Sequence, residues 1–238
     1  MVFTDPPYGT TGIVWDKPID MKLMFDIFIK CAKKKANIIL TGAQPFVTDV
    51  INSKREMFRY EIIWKKTQPS GFFSANHQPL RIHENILVFG EGRGSYNPIK
   101  KVIGKGTGRV RIQSANRSQH YHGNHESSYV DDGTRYPTSV IEFSNWNGAL
   151  FGNVEKAVVH PTQKPVELVA YILETYSNQK ELVIDFFGGS GTTLIAAEQL
   201  GRKCYMMELD PHYCDVIIAR WEKLTGKEAV RIAQTPIN

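Results

Sequence analysis

Three cysteines in 238 residues, Cys31, Cys204 and Cys214, are too few and too scattered for a disulfide framework. A reducing cytosol is therefore the expected compartment. Long apolar runs are missing as well, and none approaches the ~18–20 residues that a membrane span needs. The opening stretch MVFTDPPYG lacks the basic-then-apolar signature of a secretory signal. With 42% hydrophobic and 22% charged residues, the composition argues against fibrous and disordered classes. What is left is a globular chain long enough for one large domain, or one domain with an insertion. Its formal charge of +5 is by itself a weak pointer to a polyanionic partner.

Short apolar runs rich in β-formers alternate with helical patterns, which predicts an α/β fold around a largely parallel sheet. The expected strands are 2–4, 38–41, 60–65, 85–89, 140–143, 182–186 and 203–208. A helix is expected over 21–35, with Asp20 as N-cap and Met24, Ile27, Phe28, Cys31 and Ala32 as its buried stripe. Its basic end, Lys33-Lys34-Lys35, is explained by the helix dipole alone. Three more helices are expected: one opening at Pro165, one over 192–200 stopped by Gly201, and one from Pro211 to about Leu224.

Residues 93–135 break this rhythm, with little apolar periodicity and many Gly, Ser, Asn, His and Arg. So long an irregular stretch inside a domain reads as a functional insertion or a small subdomain. It carries Arg93, Lys100, Lys101, Lys105, Arg109, Arg111, Arg117 and Arg135 against Glu126, Asp131 and Asp132. The whole net +5 therefore sits in this segment, and the rest of the chain is neutral. Interleaved Tyr96, Tyr121, Tyr129 and Tyr136 suit phosphate contacts with occasional stacking; a solvated loop is the plainer alternative. His120, His122 and His125 lack a paired cysteine or capping carboxylate at zinc-like spacing, so no metal is expected.

Three motifs carry chemistry. Asp5-Pro6-Pro7-Tyr8 follows the first strand, and its prolines supply no N–H groups and hold φ near −65°. The Asp5 carboxylate and the Pro6 carbonyl could accept both hydrogens of an exocyclic amine on a planar ring, with Tyr8 stacked on that ring. A rigid strand-to-loop turn is the structural alternative. The second motif, Asp185-Phe186-Phe187-Gly188-Gly189-Ser190-Gly191-Thr192-Thr193, joins a strand to a helix start through a glycine turn. Leu194 stands where a dinucleotide fingerprint needs glycine, and the P-loop lysine is missing. Glu208, 23 residues beyond Asp185, is placed to bind ribose hydroxyls. A nucleoside cofactor without pyrophosphate fits better than NAD; a tight turn with a satisfied carboxylate is the alternative. The third motif is His160-Pro161-Thr162-Gln163-Lys164-Pro165, where Thr162 and Lys164 could hold a carboxylate at a helix start or merely cap the helix.

In this order, DPPY, a basic variable segment, HPTQKP, DFFGGSGTT and a later Glu, the chain resembles the β-group of amino-DNA methyltransferases, most closely phage- and prophage-type adenine enzymes. Residues 62–66, 68–73, 83–89 and 135–140 also match that family's pattern. The resemblance implies a circularly permuted, Rossmann-like class I methyltransferase with a mostly parallel seven-stranded sheet. Residues 1–92 would form the target-base half, 93–139 a basic target-recognition insertion, and 140–238 the cofactor half. It implies S-adenosylmethionine as cofactor, duplex DNA as partner, and transfer of a methyl group to adenine N6. The Asp of the first motif favours adenine over N4-cytosine, which remains the alternative, as does a non-catalytic DNA- or cofactor-binding remnant. Asp5, Pro6, Pro7 and Tyr8 would bind the flipped base. Asp185, Phe187, Gly189, Ser190, Gly191 and Thr192 would line the cofactor site, with Glu208 on the ribose and Thr162, Gln163 and Lys164 at the methionine end. Lys100, Lys101, Lys105, Arg109, Arg111, Arg117 and Arg135 would meet DNA. A homodimer, a cognate restriction endonuclease and a cytoplasmic setting are further expectations from related enzymes. Only four residues precede Asp5, so the chain is expected either to begin late or to be a piece of a larger protein.

Overall fold

A computed structural model describes residues 1–9, 12, 16–17, 19–113, 127–145 and 163–232. The elements in chain order are β1 (Val2–Thr4), α1 (Met21–Cys31), β2 (Ile38–Gly42), α2 (Phe46–Ser53), β3 (Phe58–Ser70), β4 (Arg81–Phe89), β5 (Lys101–Val102), β6 (Val110–Gln113), β7 (Ser127–Val130), β8 (Thr134–Arg135), β9 (Val140–Glu142), α3 (Val166–Tyr176), β10 (Leu182–Asp185), α4 (Thr192–Gln199), β11 (Lys203–Met206) and α5 (Pro211–Thr225). Among the described residues, seven strands form one sheet in the order β11-β10-β1-β2-β4-β3-β9. β4 is antiparallel to both its neighbours, and the other pairings in the sheet are parallel. All seven expected strands are present, and the sheet is the mostly parallel α/β sheet that the sequence leads one to expect.

The strands nearest the middle are apolar on both faces, because helices cover both. Successive residues alternate between two cores, as the period of two requires. Val2, Ile38, Leu40, Leu87 and Phe89 pack with α1 and α2, through Met24, Phe25, Phe28, Phe46 and Val50. Phe3, Ile39, Ile86 and Val88 pack on the other face with Leu168, Ile172, Leu173 and Ala196 of α3 and α4. Phe25 and Phe28 are essentially fully buried, and each contributes on the order of 2 kcal/mol by leaving water.

Helix ends follow the sequence closely. Asp20 accepts from the Leu23 N–H at 3.0 Å and Asp210 from the His212 N–H at 2.9 Å, while Gly226 ends α5 in the left-handed conformation. Two expectations about α1 need correction: its buried side is formed by Met24, Phe25 and Phe28, while Ile27 and Cys31 of the expected stripe are exposed. α1 stops at Cys31, and Lys33–Lys35 lie in the turn before β2, where the Ala36 N–H donates to the Lys33 carbonyl at 2.8 Å. A helix carried to Lys35 would leave too few residues to reverse the chain before Ile38. The short helix α2 is an addition to the expected elements, since Pro45 and four polar residues within its eight positions blur its period.

The described chain divides into two compact units, Met1–Asn97 with Ser139–Asn238, and Pro98–Thr138. The second unit holds two small antiparallel pairs, β5 with β8 and β6 with β7. Asp131 braces it, accepting from Thr107 Oγ1 at 2.8 Å, Arg135 Nη1 at 2.9 Å and the Gly133 N–H at 3.3 Å. Those hydrogen bonds, from Thr107 first, hold its carboxyl down at about 2.

Candidate active site

The carboxyl ends of the parallel strands share one edge of the sheet, and two of the three sequence motifs emerge there: Asp5 just after β1 and the glycine turn just after β10. The Asp5 carboxylate is held on both oxygens. Oδ1 accepts from the Tyr8 hydroxyl at 2.7 Å and from the Thr41 hydroxyl of β2. Oδ2 accepts from Lys164 Nζ at 2.6 Å, bringing together residues 159 positions apart. Pro6 is buried and Pro7 half-buried in the same loop. The Tyr8 ring stacks on Phe46 with centroids 5.0 Å apart, and Lys164 Nζ lies 5.6 Å from its centre. Burial, and then the neighbouring Asp5 carboxylate, push the Tyr8 hydroxyl well above the usual tyrosine range, so it acts as a neutral donor.

Behind Asp5 runs a line of alternating charge. Lys164 Nζ is also 3.4 Å from Glu84 Oε2, in an ion-pair contact without hydrogen-bond geometry, and Glu84 Oε1 pairs with Lys66 Nζ. Burial alone would push the Lys164 ammonium down, yet Asp5 and Glu84 hold it well above the usual lysine range. Burial would likewise raise Glu84, but Lys164 and Lys66 keep it below the usual carboxylate range. Two cations and two anions thus neutralise one another inside the fold, and each is tolerated there only because the others are present.

Sequence alone assigns Lys164 to the methionine end of a cofactor; its partners in the structure are Asp5 and Glu84. Thr41, Glu84 and Lys66 join the site without belonging to any of the three motifs. A signal for two of them nevertheless lies in the strands. Lys66 continues the phase of the buried Ile62 and Trp64, and Glu84 that of Ile86 and Val88, so each places a charge on an inward face. Gln163 lies half-buried directly before Lys164. Thr162 lies outside the described residues.

The glycine turn is built tightly. Asp185 is buried; its Oδ1 accepts from the Thr4 hydroxyl at 2.7 Å and the Phe187 N–H at 3.1 Å. Burial pushes its carboxyl up to about 7, against the opposing hydrogen bonds from Thr193, Thr4 and Phe187. Glu208 Oε2 accepts from the Gly189 N–H at 2.6 Å, while Oε1 accepts from the N–H groups of Leu209 and Asp210 at 2.8 and 2.9 Å. Gly191 has φ +82°, and a Cβ there would lie 2.9 Å from Ile217. Gly189 has φ +52° but opens onto space, with nothing within 4 Å of a Cβ position. Ser190 is buried and anchored by Arg220, whose Nη1 reaches both its carbonyl and, at 3.0 Å, its hydroxyl. Thr192 begins α4. Phe187 is half-buried beside the turn. An open backbone at Gly189, a fixed carboxylate at Glu208 and a helix start fit the sugar and polar groups of a nucleoside cofactor.

In the smaller unit, Lys101, Lys105 and Arg109 are exposed. Lys100 lies 3.6 Å from Asp132 and 4.7 Å from the Tyr136 ring centre, and Arg135 is bound to Asp131. Arg111 lies on β6. Arg117 and the histidines at 120, 122 and 125 fall outside the described residues. No group of three metal-ligating side chains occurs among the described residues, and none of their helices is long and apolar enough to cross a membrane.

The family model described as DNA methylase, of the N6/N4 type, matches residues 1–220. The type II methyltransferase M1.MboII of Moraxella bovis is 28% identical over 234 residues, covering 88% of this chain and 84% of its own. The DNA adenine methyltransferase YhdJ of Escherichia coli K12 is 25% identical, covering 98% and 80%. Among solved structures, an M1.HpyAVI–SAM complex has a TM-score of 0.61 at 18% identity, covering 92% and 87%. The PvuII DNA methyltransferase, described as cytosine-N4-specific, has a TM-score of 0.59 at 16% identity, covering 94% and 83%. Such distant structures establish the fold, and the family match establishes membership. The chain belongs to the N6/N4 family of DNA methyltransferases, enzymes that take their methyl group from S-adenosylmethionine.

Proposed function

We propose that the protein methylates the N6 amine of adenine at a short site in duplex DNA. The observation that carries this reading is the Asp5 carboxylate, fixed by Tyr8, Thr41 and Lys164 at the sheet edge where the glycine turn also ends. A carboxylate has about four acceptor positions. Tyr8 and Thr41 fill those of Oδ1, and Lys164 takes one on Oδ2, which leaves one for an incoming amine hydrogen. An adenine turned out of its stack would give one N6 hydrogen to Asp5 and the other to the Pro6 carbonyl. Both bonds pull that nitrogen away from planarity and free its lone pair for attack. Asp5 therefore orients the amine rather than acting as a strong base, because the amine becomes acidic only after it is methylated. Holding the reacting atoms in line supplies on the order of 7–11 kcal/mol in favourable cases.

Asp185, Phe187, Gly189, Ser190, Gly191, Thr192 and Glu208 would hold the cofactor, with Thr162 and Gln163 toward its methionine end. That group supplies a methyl on a good sulfonium leaving group. The aspartate of DPPY and the likeness to YhdJ support adenine; the likeness to the PvuII enzyme favours N4-cytosine as a second reading. Lys101, Lys105 and Arg109 are the exposed cations best suited to DNA phosphates. A cognate endonuclease partner, a homodimer and a cytoplasmic setting belong to the same reading. Unmethylated DNA incubated with methyl-labelled cofactor tests it: labelled 6-methyladenine is expected. Labelled 4-methylcytosine would move the assignment to the second reading, and cofactor binding without any product would mark a non-catalytic remnant.

A further inference from the structure

β3 and β4 outrun the rest of the sheet. β2 ends at Gly42 opposite Asn85, and β9 pairs with β3 only from Ile63 to Lys65. Beyond that point the two strands continue as an arm, with Ser70 opposite Arg81, on the edge from which Asp5 emerges. Between the Lys65–His83 and Ser70–Arg81 pairs β4 advances only two residues, about 7 Å at ~3.3 Å per residue, and β3 takes up its extra residues in an irregularity, so the turn that follows is carried about 7 Å or more beyond Lys65. The tip is a closed turn. Gly71 adopts φ +89°, the Ser74 N–H donates to the Gly71 carbonyl at 3.0 Å, and the Ala75 N–H donates to the Phe72 carbonyl at 3.1 Å. This turn holds two phenylalanines in water: Phe73 is fully exposed and Phe72 is 64% exposed. Two adjacent phenyl rings presented to solvent by an ordered turn are an apolar surface awaiting a partner.

The flanks indicate which partner. From Thr67 to His83 the sequence has no acidic residue, while His77, Arg81 and His83 are exposed. An apolar tip on a stem with no acidic residue and an exposed arginine complements a stacked polyanion better than another protein face. We propose that this arm is a wedge: Phe73, flanked by Phe72, enters the duplex and fills the gap left when the target base turns out toward Asp5. The inference rests on the DNA-methyltransferase reading above and adds to it the residue that keeps the base out. Apolar side chains that part base steps offset the cost of unstacking by the surface they bury.

The test uses the full chain, wild type, Phe73→Ala and Phe73→Trp, on duplexes carrying the site mapped by sequencing DNA that the wild type has methylated. Two duplexes are compared, one with the target base fully paired and one with it opposite an abasic site, where turning out costs little. Phe73→Ala is expected to lower kcat/KM on the paired duplex by about tenfold or more and to leave the abasic-opposed duplex within about twofold of wild type. Phe73→Trp should recover most of the loss. A 2-aminopurine at the target position should brighten less on binding Phe73→Ala than on binding wild type. Equal slowing on both duplexes, no slowing at all, or a change of oligomeric state without substrate discrimination would overturn the wedge. Wild-type protein that methylates no DNA would instead overturn the reading beneath it, and the wedge with it.

Discussion

Lys164 Nζ lies 2.6 Å from Asp5 Oδ2, and the same ammonium lies 3.4 Å from Glu84. One lysine thus ties the loop after β1 to the segment before α3 and to β4. The carboxylate expected to meet the substrate amine is clamped from the side facing the protein. Its remaining acceptor position is what the proposed chemistry uses.

Glu84 should matter for stability first. Glu84→Ala leaves Lys164 and Lys66 with one carboxylate between them in a buried setting. Breaking such a pair should cost about 3 kcal/mol in urea unfolding. The double change Glu84→Leu with Lys66→Met should cost less, since it removes one charge of each sign. If Glu84→Ala unfolds at the wild-type midpoint, the buried charge line does not support the fold.

Two glycines of one turn should separate stability from cofactor binding. Gly191→Ala places a Cβ against Ile217 at φ +82° and should destabilise the fold by about 2 kcal/mol. Gly189→Ala opens onto space and should cost only about 1 kcal/mol, the left-handed penalty. Its added methyl would stand where the cofactor approaches, so calorimetry should show affinity falling by about tenfold or more. Unchanged cofactor affinity in Gly189→Ala would count against that surface as the cofactor's.

Asp185 makes stability depend on pH. Its carboxyl is raised from 3.8 to about 7 in the folded chain, so folding favours its neutral form. That contribution is complete below the unfolded value and is lost as the pH rises through 7. Asp185→Asn carries no such charge. The stability of the variant relative to wild type should therefore improve from about pH 5 to about pH 8, measured without cofactor. A flat difference across that range would mean Asp185 is ionised throughout.

The +5 charge narrows to a few side chains. Arg135 is engaged with Asp131 and Lys100 with Asp132, which makes them braces of the small unit. Lys101, Lys105 and Arg109 are exposed. Replacing these three with alanine should reduce the log–log salt slope of DNA binding by about 2.7, because each neutralised phosphate adds about 0.9 to that slope. Arg135→Ala should mainly loosen the unit instead. A slope unaltered by the triple change would remove this segment from the DNA interface.

Much of this is legible in the sequence. Every strand of the large sheet announces itself through apolar runs bounded by turn residues, and the motifs DPPY and GGSG fall at strand ends. Less legible are features that depend on distant partners. Strand phase marks Lys66 and Glu84 as inward charges, but which charges they meet is set by the pairing of Glu84 with Lys66 and with Lys164, far along the chain. α2 is too short for its period to rise above its polar residues. The antiparallel pairs of the small unit have two to four residues per strand, and those whose burial is described are mostly exposed, so burial leaves little alternation to read.

The most direct measurement is the identity of the methylated base in parallel reactions of wild type and Asp5→Ala. Each is incubated with unmethylated DNA and labelled S-adenosylmethionine, and the digested nucleosides are resolved by mass spectrometry. Labelled 6-methyladenine is expected from wild type and none from Asp5→Ala, which should still bind the cofactor. Label recovered in cytosine, or undiminished methyladenine from Asp5→Ala, would contradict the proposed chemistry.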